Sequence, residues 1–166
     1  MATPRWTASV RGMTRPRCYV ASPAGFSETT RGWYADVFLP ALAAVVDPVD
    51  PWALTSGEEI AAAAAEGRDR EMALEIGRRN AEAIRGCALL VAHLDGQEAD
   101  SGTVAELGYA AGLGLRCYGV RSDLRQAGEA GVALNLQVEA FVALSGGAIL
   151  PSTPELVARL RADAVA

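Results

Sequence analysis

Four carboxylates crowd the segment Leu94-Asp95-Gly96-Gln97-Glu98-Ala99-Asp100-Ser101-Gly102-Thr103-Val104-Ala105-Glu106, where an apolar run gives way to a helical pattern. Two readings fit this spacing. In the first, Asp100 or Ser101 caps the free backbone N–H groups of a new helix and Glu106 sits on its solvent face. In the second, Glu106 works. It is followed by Leu107, Gly108, Tyr109, Ala110 and Ala111, so its carboxylate stands one turn into the helix among small and apolar residues, partly desolvated yet able to meet a ligand. Such a carboxylate can attack an anomeric carbon and stabilise the positive charge of a sugar transition state.

The remaining chemistry-bearing residues are more scattered. Phe26, Trp33 and Trp52 offer aromatic faces that either stack on a planar ligand or cover the core. His93 is the only histidine; without an evident partner it reads as structural or surface-exposed and stays outside the catalytic set. Asp123 and Arg125 form either a plain charged loop or part of a pocket. Ser22 to Gly25 lacks the repeated glycines of a phosphate-binding loop. Cys18, Cys87 and Cys117 are widely spaced within apolar runs, with no CxxC pair, so neither a disulfide framework nor a zinc site is expected.

The elements that must position these residues follow from periodicity. Cys18–Ala21, Cys87–Leu94, Leu115–Val120 and Ala148–Leu150 are short apolar runs that read as buried strands. Asp36–Val46 reads as the tail of a first helix, with Pro40 a kink or a boundary error. Asp47–Ser56 reads as a loop. Glu58–Glu66 is an alanine-rich helix interrupted by Gly67, and Arg68–Arg85 continues with Met72, Ile76, Ala83 and Ile84 on an apolar side and Arg78, Arg79 and Glu82 in water. Thr103–Leu113, Asn135–Leu144 and a terminal helix to about Arg161 complete the set, the last with Thr153 as N-cap and Pro154 at the first helical position. Apolar runs separated by helices predict an α/β fold: an open parallel sheet of about five strands with helices on both faces, flavodoxin-like or Rossmann-like. Ligands of such sheets bind beyond the carboxyl ends of the strands, which gathers Ser22–Phe26, Asp95–Ser101 and Arg121–Arg125 on one rim.

Size and charge narrow the partners. The chain has 166 residues, 51% of them hydrophobic, and a formal charge of −5. That suits one domain over residues 17–166 behind a solubilising arm of residues 1–16 containing Arg5, Arg11 and Arg15. There is no positive field to hold a nucleic-acid backbone. No uncharged apolar stretch is long enough for a membrane span, and the arm has no apolar core like that of a secretion signal. The expectation is a cytoplasmic protein.

Three motifs in order resemble one family. Leu94-Asp95-Gly96, Asp100-Ser101-Gly102-Thr103 and Glu106-Leu107-Gly108-Tyr109-Ala110 are similar to the signature of the nucleoside 2-deoxyribosyltransferases. Cys18-Tyr19-Val20-Ala21-Ser22-Pro23 resembles that family's first strand and loop, and Asn135-Leu136-Gln137-Val138-Glu139-Ala140-Phe141 with Ser145-Gly146-Gly147 its late helix. The resemblance implies transfer of a 2-deoxyribosyl group between nucleobases, through a glycosyl-glutamate ester and with net retention, without a cofactor or metal. It makes Glu106 the nucleophile, Tyr19 the residue that orients it, and Asp100 the ligand of the sugar 5'-hydroxyl. Asn135 would complete the same sugar site of a neighbouring subunit in a homodimer or larger homo-oligomer. Asn80, Phe26, Asp123 and Gly102 fall at substrate-binding positions, and the implied partners are 2'-deoxynucleosides and free nucleobases. Asn80 stands where some members carry an aspartate; an amide cannot donate and recover a proton as a carboxylic acid does. Hydrolysis of nucleosides or nucleoside 5'-monophosphates, and nucleotide binding without catalysis, are the alternatives.

Overall fold

A computed structural model describes residues 15–164. Five strands, β1 (Arg17–Ala21), β2 (Asp47–Val49), β3 (Leu89–His93), β4 (Arg116–Val120) and β5 (Ile149–Leu150), form one parallel sheet in the order β2-β1-β3-β4-β5. This is the flavodoxin-like of the two expected arrangements, and its strand order reverses between β1 and β3. The central strand β3 is buried along its whole length, as its unbroken apolar run predicts for a strand covered on both faces.

Alternation along the strands assigns the helices to faces. Cys18, Val20, Leu89, Val91, Tyr118 and Val120 point to one side, where they pack with Tyr34, Phe38, Leu42, Leu156 and Leu160. Tyr34 and Phe38 come from the π-helical turn Tyr34–Phe38 that joins α1 (Glu28–Trp33) to α2 (Leu39–Ala43), Leu42 comes from α2, and Leu156 and Leu160 come from α7 (Thr153–Ala164). Tyr19, Ala21, Leu90, Ala92 and Cys117 point to the other side, against Ile84, Leu107, Ala110, Val138 and Val142. Those belong to α4 (Asp69–Arg85), α5 (Ser101–Gly112) and α6 (Leu136–Leu144). Burying one such side chain contributes about 1.5–3 kcal/mol, so Val138 and Val142 anchor α6, and Leu156 and Leu160 anchor α7, against the sheet. Tyr19 therefore faces α4 and α5, and its neighbours Cys18 and Val20 do not.

Three local readings are corrected. Asp47–Ser56 is not one loop: Asp47, Pro48 and Val49 form edge strand β2 in register with Arg17, Cys18 and Tyr19, and Pro51–Ala53 is a 3₁₀ turn capped by Asp50. A proline is tolerated there because an edge strand needs no donor on its open side. Pro40 does not end the first helix. Leu39 N–H reaches back five residues to the Tyr34 carbonyl, widening the Tyr34–Phe38 turn to π geometry just before the proline, which then occupies the start of α2. The last helix is capped by Ser152, whose hydroxyl accepts the Glu155 N–H at 3.3 Å, and Thr153 is its first residue. The remaining helix, α3 (Gly57–Ala65), starts with a capping box between Ser56 and Glu59. Of the N-terminal arm, residues 1–14 lie outside the described residues, while the Pro16 carbonyl already accepts the Asp47 N–H. Among the described residues no helix is long and apolar enough to cross a membrane.

Candidate active site

The strand order reverses between β1 and β3, the point at which such sheets open a ligand crevice, and the adjoining face is covered by α4 and α5. Three side chains meet there. Tyr19 Oη donates to Glu106 Oε1 at 2.7 Å, and Asn80 Nδ2 donates to the same oxygen at 3.1 Å. Each is delivered by packing: Tyr19 by the alternation of β1, Glu106 by α5 through buried Leu107 and Ala110, and Asn80 by α4 through Ile84. Asn80 is further fixed by its neighbour Arg79. That guanidinium pairs with Glu59 and Glu75 and donates to the Leu54 carbonyl and Thr55 Oγ1, bracing α4 against α3 and the 3₁₀ turn. Arg79 was expected in water; it is half-buried instead.

Burial pushes the Glu106 carboxyl above its ordinary range, the donors from Tyr19 and Asn80 pull it back, and the charge of Asp100 raises it again; the net direction is up. Burial, together with the Glu106 charge and its hydrogen bond, drives the Tyr19 phenol far above its normal value, so it remains a donor. Both donors sit on Oε1. Oε2 has no hydrogen-bond partner among the described residues. The Asn80 Oδ1 atom is buried and unpaired, a desolvation cost of about 1–3 kcal/mol borne beside the carboxylate.

Asp100 is the N-cap of α5: its Oδ2 accepts from Thr103 N–H at 2.9 Å and Thr103 Oγ1 at 3.1 Å. Its other oxygen makes no hydrogen bond among the described residues, and the carboxylate is close enough to Glu106 for its charge to matter there. Gly102 is exposed beside it, and a side chain at that position would stand 3.2 Å from Asp100 Oδ2. Phe26 is 74% exposed at the end of the β1 loop and meets the ring of Trp52 edge-on, with centroids 4.4 Å apart. Gly25 makes this possible, because a Cβ there would lie 2.4 Å from Trp52 Cε2. Trp33 is instead stacked on Phe38 and belongs to the core side.

Two expected site residues lie elsewhere in the chain's own fold. Asn135 caps α6 through Gln137 N–H at 3.0 Å and lines a cleft of about 260 Å³ with Glu98, Ser101, Val104 and Leu134, on a different face of α5 from Glu106. Asp123 serves its own rim loop, accepting from Gly96 N–H at 3.2 Å and pairing with Arg125, which hold its carboxyl well below the usual range. Sequence reasoning overlooked the partners of His93, which is buried between Ser22 and Asp95. Their positions 71 residues and two residues away gave no periodic signal. Among the described residues no cluster of histidine, cysteine, aspartate and glutamate could hold a metal ion.

The fold agrees with what known proteins show. The family model described as nucleoside 2-deoxyribosyltransferase matches residues 18–144, so the chain belongs to that family. No curated protein matches it in sequence. Among solved structures, a conserved protein from Enterococcus faecalis V583 is similar with a TM-score of 0.63 and 21% identity, covering 89% of this chain and 98% of that one. A 2-deoxyribosyltransferase from Bacillus psychrosaccharolyticus has a TM-score of 0.57 and 17% identity, covering 85% and 90%. A CMP N-glycosidase from Clostridium botulinum has a TM-score of 0.52 and 16% identity, covering 87% and 96%. At these identities the three share a fold with the chain.

Proposed function

We propose that the chain transfers a 2-deoxyribosyl group from one nucleobase to another, with Glu106 as the nucleophile. The observation that carries this reading is the half-buried Glu106, anchored at Oε1 by Tyr19 and Asn80 with Oε2 unpartnered. Oε2 attacks C1', the C1'–N bond breaks, and its electron pair leaves with the base, which takes a proton. Asn80 has none to give, so that proton comes by way of water. The ring nitrogen of a second base then attacks C1' and gives up its proton to water, the ester C–O bond breaks, and the carboxylate is restored after two inversions. Asp100 grips the 5'-hydroxyl with the oxygen not used for capping and fixes the sugar face. Phe26 and Trp52 supply the aromatic wall on which a base stacks, while Gly102 lets the sugar approach the helix start. No cofactor enters these steps.

The site is completed by a second copy. Leu136 (51% exposed), Phe141 (37%) and Leu144 (79%) of α6 and Leu113 (44%) after α5 are exposed apolar side chains, Leu136 next to Asn135. A neighbour packed over α6 buries such side chains and brings its Asn135 to the sugar. Asp123, tied into its own loop, reaches a base only if that loop carries it there. Mixing Glu106→Ala and Asn135→Ala protomers should restore activity that neither variant has alone.

The exchange assay tests the whole reading: a 2'-deoxynucleoside incubated with a different free base yields the new nucleoside, and Glu106→Ala abolishes it while the fold survives. A folded wild type that forms none refutes transfer. Hydrolysis is the second reading, favoured by the missing carboxylic acid at Asn80 and consistent with the fold shared with a CMP N-glycosidase. Base release that does not respond to added acceptor would select it. The carboxylate of Asp100 at the 5' end disfavours a 5'-monophosphate by like-charge repulsion. Binding without catalysis predicts no turnover in the wild type or in Glu106→Ala, with the nucleoside or nucleotide still bound.

A further inference from the structure

The chain's one histidine takes no part in the chemistry above, yet both its ring nitrogens are engaged. The backbone ladder between β1 and β3 ends where Ala21 faces Ala92. Ser22 and His93 are the next residues, and here a side-chain bond carries the connection on: Ser22 Oγ lies 3.3 Å from His93 Nδ1. On the other side Nε2 lies 3.2 Å from Asp95 Oδ2. The imidazole is held under Trp33, with centroids 5.0 Å apart, and near Phe38 at 6.0 Å.

The donors fix the direction of these bonds. Ser22 Oγ already accepts the Ala24 N–H at 3.1 Å, so its hydroxyl hydrogen is free for Nδ1. Asp95 accepts from Ser122 N–H at 2.5 Å, Ser122 Oγ at 2.6 Å and Asp123 N–H at 2.9 Å. Burial alone would raise its carboxyl, but these donors hold it below the ordinary range, and an ionised Asp95 can only accept. A neutral His93 ring in this setting carries its hydrogen on Nε2 and accepts at Nδ1. Ser22 is not poised as a nucleophile, since it is 7% exposed and its oxygen is spoken for.

We infer that His93 is a positioning residue, a buried strut that couples the β1, β3 and β4 loops on the side of the sheet opposite Glu106. Ser22 lies three residues beyond Tyr19 and four before Phe26; Asp95 lies five before Asp100. Asp95 also gathers Ser122 and Asp123, and Asp123 returns a bond to Gly96. The strut thus sets the separation of the aromatic wall from the sugar-binding loop across the crevice.

Nuclear magnetic resonance tests the coupling directly, because His93 is the only histidine and imidazole ¹⁵N signals therefore belong to it alone. The folded wild type should show hydrogen on Nε2 and an accepting Nδ1. Ser22→Ala, a change small enough to leave the fold intact, should move the Nδ1 signal and raise amide exchange at Ala24 and Phe26 about tenfold. His93→Ala should disturb the amides of Ala24, Phe26, Ser122 and Asp123 together. A hydrogen on Nδ1, or β1-loop amides indifferent to both changes, overturns the strut. A second arm rests on the deoxyribosyl-transfer reading: KM for a 2'-deoxynucleoside should rise about five- to tenfold in Ser22→Ala and His93→Ala with kcat within about twofold. His93→Gln, which can still donate to Asp95, should recover part of the loss. A fall in kcat with KM unchanged overturns the positioning role. A wild type without turnover whose loop amides respond as described supports the coupling and counts against the transfer reading alone.

Discussion

Replacing Tyr19 with phenylalanine removes one oxygen from a fully buried strand residue, so packing is kept and the change is confined to Glu106. The bond removed is 2.7 Å long, the range of a charge-assisted donor to a carboxylate. A hydrogen bond to a charged group contributes about 1.5–3 kcal/mol, and about 1.36 kcal/mol is tenfold in an equilibrium. The ionised form of Glu106 should therefore lose roughly ten- to hundredfold against the protonated form. Only the carboxylate can attack C1'. Burial already holds this group above its ordinary range, and Tyr19 opposes that shift, so its loss moves the acid limb of the kcat/KM profile to higher pH. Below the limb the variant falls behind by the full factor. Above it the gap closes, because the remaining carboxylate, freed of one donor, is no weaker a nucleophile. The assay is base exchange followed from acid to neutral pH and beyond. A profile lowered equally at every pH, or an unmoved acid limb, would refute the claim that Tyr19 acts by stabilising charge on Glu106.

Glu106→Gln should stabilise the protein at neutral pH while abolishing exchange: the raised carboxyl means that ionisation above the unfolded value works against folding, and below both values that cost vanishes. Thermal unfolding should show the gain, about 2–4 °C for each kcal/mol in a chain of this size, shrinking as the pH falls; an equal gain at all pH values refutes it. Asn80→Asp places a second carboxyl within hydrogen-bond reach of Glu106, so the acid limb should shift upward and bases that leave poorly without protonation should gain most. A panel of deoxynucleosides spanning leaving-group basicity checks this, and uniform slowing across the panel contradicts it. Gly25→Ala forces the Trp52 ring away from the β1 loop, at a cost of about 1–3 kcal/mol if the pair repacks. Denaturant unfolding followed by tryptophan fluorescence should show both the destabilisation and a changed native signal.

Much of the scaffold was legible. Leu90–Ala92 and Cys117–Val120 announce buried strands by unbroken apolar runs, and α5 begins within two residues of its expected start. What could not be read is whatever tertiary pairing creates. β2 contains only three residues, one of them proline, and exists because the backbone of Arg17–Tyr19 offers a ladder beside it. Ser22 and His93 meet because β1 and β3 are neighbours in register. The proximity of Asn80 and Glu106, 26 residues apart on two helices, depends on how α4 and α5 lie on the sheet; residue types alone said nothing of it, and the family resemblance only that both belong near a substrate.

The acidic segment began with two competing readings, capping and chemistry, and the fold divides its carboxylates between them by geometry. Asp95 turns to the far face and binds His93 and the β4 loop. Asp100 caps α5 with one oxygen. Glu98 stays exposed at the lip of the Asn135 cleft. Glu106 alone turns into the crevice, where burial makes its charge expensive and two donors make that charge tolerable. The same division explains why capping was so plausible from sequence. A helix that begins at the sheet rim needs an acceptor for its first N–H groups, and Asp100, which satisfies this need, stands six residues before Glu106 with one oxygen still unbonded among the described residues, which is what the proposed sugar grip requires.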